Sequence, residues 1–93
     1  MFNIVMRFKV IDYPRWKAEF DADDSWRRTS GEQDYRVFRD ADDPTLITVM
    51  LGWESMDTGQ LFISSPLLRR KLQDGGVIGE PNYFLVNEVG KAA

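Results

Sequence analysis

The chain contains no cysteine and no histidine. The first absence excludes disulfides, thiolate nucleophiles and cysteine-ligated structural zinc. The second removes the commonest metal ligand and the commonest general base near neutral pH. Haem degradation through an axial histidine is disfavoured for the same reason. Long apolar runs are missing too: Asn3, Arg7 and Lys9 interrupt the N-terminal "MFNIVMRFKV" well before the length of a membrane span or a signal-peptide core. A cytoplasmic protein without a membrane partner is therefore expected. Neither sign of charge dominates, since fifteen acids against twelve bases leave a net charge of -3. Such a balance gives no overall field to draw in nucleic acid, and none is expected as a partner.

What is present suits one packed domain over residues 1–93, near the lower end of sizes that bury a stable core alone. Twelve aromatic residues supply large units of buried area. Ile4, Met6, Phe8 and Val10 alternate with Asn3, Val5, Arg7 and Lys9, the period of a strand with one buried face. Asp12 and Pro14 then mark a helix start, and the helix should run from about Pro14 to about Ser30 with Gly31 as its stop. "YRVFR" and "TLITVMLGW" read as strands joined by the turn "DADDP". Ser55 or Asp57 opens a second helical region, which Pro66 must break near Ser65 and which Gly75 and Gly76 end. "PNYFLVNEV" closes the chain as a strand.

The order β-α-β-β-α-β is the ferredoxin-like arrangement of an α+β fold: a four-stranded antiparallel sheet with both helical regions on one face. The third strand is apolar on both sides, so the uncovered face also wants cover, and a second copy of the chain supplies it most economically as a homodimer. An RNA-recognition module shares this order, but "TLITVMLGW" lacks the stacking aromatics in a basic setting that such a module needs.

The stretches "KAEFDADDSWRRTSG", "YRVFRDADDPTLITVMLGWES" and "SSPLLRRKLQDGGVIGEPNYFLVNEV" together resemble small bacterial proteins of the dimeric α+β barrel superfamily that includes antibiotic-biosynthesis monooxygenase-like domains. The resemblance implies a homodimer whose two sheets form a barrel, with a small-molecule pocket between sheet and helices in each protomer. It spans cofactor-independent oxygenases, haem-degrading enzymes and proteins without known activity, and fold does not choose among these. Relatives often carry a histidine in the first helix where this chain has Asp23. A dimeric barrel binding a small organic molecule is the first expectation. The alternative is a cofactor-independent monooxygenase-like enzyme acting on an aromatic substrate. No cofactor and no metal are expected.

Candidate site residues follow from the helical stripe of Tyr13, Trp16, Phe20, Asp23, Asp24 and Arg27. As a catalytic pair, Asp23 would take a proton and Arg27 would steady the resulting anion at a pocket mouth. As ordinary surface chemistry, they form an i,i+4 ion pair at the sheet's edge and reach for water, and this blander reading is the favoured one. Trp16, Trp53 and Tyr83 join them as ligand-binding candidates, with Tyr35 a further aromatic, although core packing accounts for most aromatics at such spacings. Trp26 lies on the far side of the helix from Trp16, exposed or in a contact. Arg69, Arg70 and Lys71 read as a solvated basic run, and Arg7 and Lys9 as charges ringing the end of the open face.

The tetrapeptide "DADD" occurs at Asp21 to Asp24 and again at Asp40 to Asp43. The first copy splays its carboxylates around a helix. The second lacks the glycine and the distal glutamate of a calcium loop, so turn chemistry is expected of it, not metal binding.

Overall fold

The computed structural model describes residues 2–92. Alternation along the first strand produces β1 (Phe2–Val10), in which Ile4, Met6, Phe8 and Val10 are buried. The Asp12 carboxylate accepts from the Arg15 amide at 2.8 Å and starts α1 (Tyr13–Ala22), where Pro14 sits in the first turn. The single long helix expected to Ser30 is divided. Asp23 interrupts it at φ −91° and ψ 9°, and α2 (Asp24–Ser30) follows. Backbone hydrogen bonding nevertheless runs through the junction, because the Asp23 amide donates to Glu19 and Phe20 oxygens while its own carbonyl accepts from Arg27. Asp23 spends its side chain elsewhere, so α2 begins without a side-chain cap.

Gly31 ends α2 at φ 137°. A Cβ there would lie 2.7 Å from the Trp53 indole nitrogen, so the position demands glycine twice over. Strand β2 (Glu32–Arg39) begins immediately, three residues earlier than its aromatic run indicated, and pairs with β3 (Leu46–Trp53). Ser55 caps α3 (Met56–Ile63) and Ser65 caps α4 (Pro66–Asp74), with Pro66 in the first turn of α4, as the sequence pattern requires. The last strand, β4 (Val77–Asn87), starts four residues before Pro81 and carries that proline inside it. An edge strand tolerates the missing N–H, and its pairing with β1 shifts register between Arg7 and Lys9.

The sheet order is β2-β3-β1-β4 with antiparallel neighbours throughout, which gives the ferredoxin-like fold with each helical crossover in two pieces. One sheet face carries the core, built on Ile4, Met6, Phe8 and Val10 of β1 and on Ile47, Val49, Leu51 and Trp53 of β3. From the helices, Trp16, Phe20, Phe62, Leu68 and Leu72 cover it. On the other face, the register aligns Arg36, Met50, Val5 and Phe84 in one row across all four strands. The next row is Phe38, Thr48, Arg7 and Asn82. Phe84 is 53% exposed and Phe38 45%, with Ile78 and Val86 also open to solvent.

Arg7 pairs with Asp40 at 3.6 Å and Lys9 with Asp43 at 3.3 Å, which ties this face to the β2–β3 turn. Within that turn the Asp40 carboxylate accepts from the Asp42 and Asp43 amides. Asp43 accepts from the Thr45 amide and hydroxyl, and these Thr45 bonds hold its carboxyl below the ordinary range. The second "DADD" is therefore a hydrogen-bonded turn.

Candidate functional site

The first helical region brings its stripe down onto the sheet, but Asp23 and Arg27 do not pair with each other: Arg27 goes to Glu32 and Asp23 to Lys71. Arg27 is only 3% exposed, which overturns the reading of an ion pair reaching for water. Its Nε donates to Glu32 Oε2 at 2.7 Å and its Nη1 donates to the Phe20 carbonyl. Its guanidinium lies 3.6 Å from the centre of the Phe20 ring, and the Tyr35 ring stands 5.6 Å away. Arg27 is held by rings and by a buried carboxylate because Gly31 turns the chain directly behind it and places Glu32 beneath the helix end. The remaining nitrogen, Nη2, has the Asp24 carboxylate 3.6 Å away and no hydrogen-bond partner among the described residues. Glu32 is itself 6% exposed, and burial raises its carboxyl above the ordinary range while the bond from Arg27 pulls it the other way.

Asp23 turns from its own helix to α4, where Lys71 Nζ donates to Oδ1 at 2.7 Å. Lys71 also sits 4.9 Å from the centre of the Trp26 ring. Lys71 is thus no part of a solvated run: three-quarters of its side chain is covered, and it bridges α2 and α4. The carboxylates of the first "DADD" do splay, with Asp21 on Lys17, Asp23 on Lys71, and Asp24 on Arg28 and Arg27.

Between these elements lies a cavity of about 30 Å³, whose lining includes Trp16, Glu19, Phe20, Asp23, Trp26, Arg27 and Lys71, with Met6, Phe62, Leu68 and Leu72 completing the wall. That volume accommodates one or two molecules the size of water, while pockets for organic ligands run to about 300 Å³ and above. Lys71 is matched at the cavity by Asp23, Arg27 is matched by Glu32 outside the lining, and Glu19 adds a further carboxylate to the wall.

Of the residues singled out in the sequence, Trp16, Asp23 and Arg27 meet at this cavity. Trp53 does not line it. Trp53 packs under α3, 4.4 Å from the Phe62 ring, and its indole N–H donates to the Thr58 hydroxyl at 3.1 Å. Tyr83 lines a separate shallow recess with Arg69, Glu80 and Pro81, where burial pushes its phenol upward. Tyr35 meets Phe20 edge-on at 5.0 Å, outside the cavity lining. Trp26 is in a contact, 5.2 Å from the Phe62 ring. Sequence reasoning did not single out Glu32, and Lys71 was legible only as one of three adjacent bases. Among the described residues no group of three or more carboxylates is arranged to hold a metal ion.

No protein-family model matches the chain, and no curated protein matches it in sequence. Solved structures do match in shape. One is SnoaB, a cofactor-independent oxygenase from Streptomyces nogalater, at a TM-score of 0.69 and 15% identity, covering 95% of this chain and 94% of that one. A second is a protein from Bordetella bronchiseptica provisionally named an antibiotic biosynthesis monooxygenase, at 0.75 and 16%, covering 95% and 96%. A third is Rv0793 from Mycobacterium tuberculosis, at 0.66 and 17%, covering 99% and 98%. At such identities the likeness is one of fold: the chain has the ferredoxin-like fold that structures named antibiotic biosynthesis monooxygenases share.

Proposed function

We propose that this chain binds a small organic molecule in the cleft between the sheet and the α1–α2 and α4 helices, and that two copies associate through the open sheet face. One observation carries the binding reading: a buried guanidinium whose Nη2 lacks a hydrogen-bond partner, a part-buried Asp23–Lys71 pair and Glu19 stand around a cavity whose apolar wall includes Trp16, Phe20, Trp26 and Phe62. Convergent polar groups within an aromatic wall are the usual make-up of a ligand site, since the walls supply burial and the polar groups fix orientation. Nη2 is a ready donor for a ligand oxygen, because leaving it unpaired costs free energy that a bound acceptor recovers.

The test is titration of the ¹⁵N-labelled protein with indole and with 1-naphthol. Saturable shifts should concentrate on Trp16, Phe20, Trp26 and Lys71, and Arg27→Lys should weaken binding of 1-naphthol, which carries an acceptor oxygen, more than binding of indole. Shifts confined to the open sheet face, or none, would defeat the reading.

A cofactor-independent oxygenase acting on an aromatic substrate is the second reading, supported by the placement of a carboxylate beside the same aromatic wall. There Asp23 would take a substrate proton once Lys71 releases it, and Arg27 Nη2 would steady the oxyanion. Dioxygen uptake in the presence of 1-naphthol, abolished by Asp23→Asn, is the expected result. Uptake equal to that of buffer alone leaves binding without chemistry.

The dimer reading rests on the row Met50, Val5 and Phe84 and on the exposed Phe38, Ile78 and Val86, apolar side chains gathered on the sheet face that no helix covers. Gel filtration with light scattering should give twice the chain mass.

A further inference from the structure

Trp26 stands between two spaces. On its inner side is the 30 Å³ cavity with Asp23, Arg27 and Lys71. On its outer side a recess of about 240 Å³, open to solvent, is lined by Trp26, Ser30, Thr58, Leu61, Phe62 and Ser65. Trp26 and Phe62 are the residues common to both linings, so the partition is a single pair of rings 5.2 Å apart.

The two rings are not held alike. Phe62 is 3% exposed and clamped against Trp53. Trp26 is half-buried and projects from a seven-residue helix with no side-chain cap. Beyond Phe62, its ring is steadied by the Lys71 ammonium. We infer that Trp26 is the gate of the binding cleft, and that a small uncharged molecule enters from the recess between α2 and α3 as the indole swings outward.

This inference rests on the binding reading above and adds the route and the ligand class. Volume requires a gate: the inner cavity alone is too small for an organic molecule, whereas the two spaces joined approach the lower end of ordinary ligand sites. Energetics selects the wall that moves. The way past Asp23 and Lys71 requires parting two part-buried charges 2.7 Å apart, while moving Trp26 forfeits ring contacts and leaves that pair intact. The ligand is uncharged because a narrow space walled by rings strips an ion of its water, while Arg27 and Lys71 already hold Glu32 and Asp23 and the Glu19 carboxylate in the lining repels an anion.

The absence of cysteine makes the test clean. Leu61 is 73% exposed at the lip of the recess, so Leu61→Cys introduces a single accessible thiol that a bulky maleimide can cap. Association of indole, followed by ¹⁵N line-shape analysis at Phe20 and Leu72, should slow at least threefold in the capped Leu61→Cys protein relative to the same protein left uncapped. In Trp26→Ala it should speed up at least threefold. Changes under threefold in both overturn the gate, and the capped Leu61→Cys chain decides alone if Trp26→Ala loses its circular-dichroism signature. Failure of the parent chain to bind indole defeats the cleft reading and the gate with it. Binding at unaltered rates defeats the gate alone.

Discussion

Replacing Arg27 with methionine strands the Glu32 carboxylate in the core. The residue lost supplies a 2.7 Å charge-assisted bond to Glu32, a bond to the Phe20 carbonyl and a cation stacked 3.6 Å from the Phe20 ring. Removing one partner of a buried pair costs about 3–5 kcal/mol. A chain of this length holds about 5–14 kcal/mol in total, so Arg27→Met should lose a large share of it and about 12 °C or more in Tm.

The pH dependence gives the reasoning a second edge. Glu32 is already raised above its ordinary value of 4.5 by burial, with Arg27 opposing the shift, so losing Arg27 raises it further. A group whose folded value lies above its unfolded one favours the fold fully below the unfolded value, and that contribution is lost as pH rises through the folded value. The deficit of Arg27→Met relative to the parent chain should therefore be largest at pH 7 and shrink toward pH 5. Arg27→Met combined with Glu32→Leu should recover much of the loss, because no buried charge is then left alone. Urea denaturation followed by far-ultraviolet circular dichroism at both pH values is the assay. A loss under about 1 kcal/mol at pH 7, or a deficit that widens on acidification, would refute the argument.

Gly31→Ala should cost about 1–3 kcal/mol in the same assay, since φ 137° and the Trp53 nitrogen both oppose a Cβ. Thr58→Val removes the acceptor of the buried Trp53 N–H and should cost about 1–3 kcal/mol with a change in tryptophan emission. Phe84→Glu, in the middle row of the open face, should halve the mass seen by light scattering while leaving the far-ultraviolet spectrum unchanged. A mass of one chain for the parent protein would remove the dimer.

The elements were legible wherever the signal was local. Alternation in β1, Asp12 before α1 with Pro14 in its first turn, the hydrogen-bonding aspartates of the β2–β3 turn and the Ser65–Pro66 break are all settled by residues within a few positions of one another. The cavity was half legible. The helical stripe located Trp16, Asp23 and Arg27, but their partners lie where periodicity has no reach. Glu32 is five residues from Arg27 across a glycine turn, a spacing at which neither helix nor strand geometry pairs side chains. Lys71 reaches Asp23 over 48 positions, and only the packing of α4 on α2 makes them neighbours. Trp53 and Tyr83 carry the same chemical label as Trp16, yet strand register and helix placement assign them to other surroundings.

Asp23 occupies the position from which a carboxylate ordinarily ties down the opening amides of its own helix, and it is committed to Lys71 instead. The start of α2 is thus secured by a residue of α4, 48 positions along the chain. In hydrogen exchange, the opening turn of α2 should therefore behave as a reporter of α4: loosening α4 anywhere near Lys71 would raise exchange at Asp24 to Trp26 before it is felt at α1, whose cap is its own Asp12.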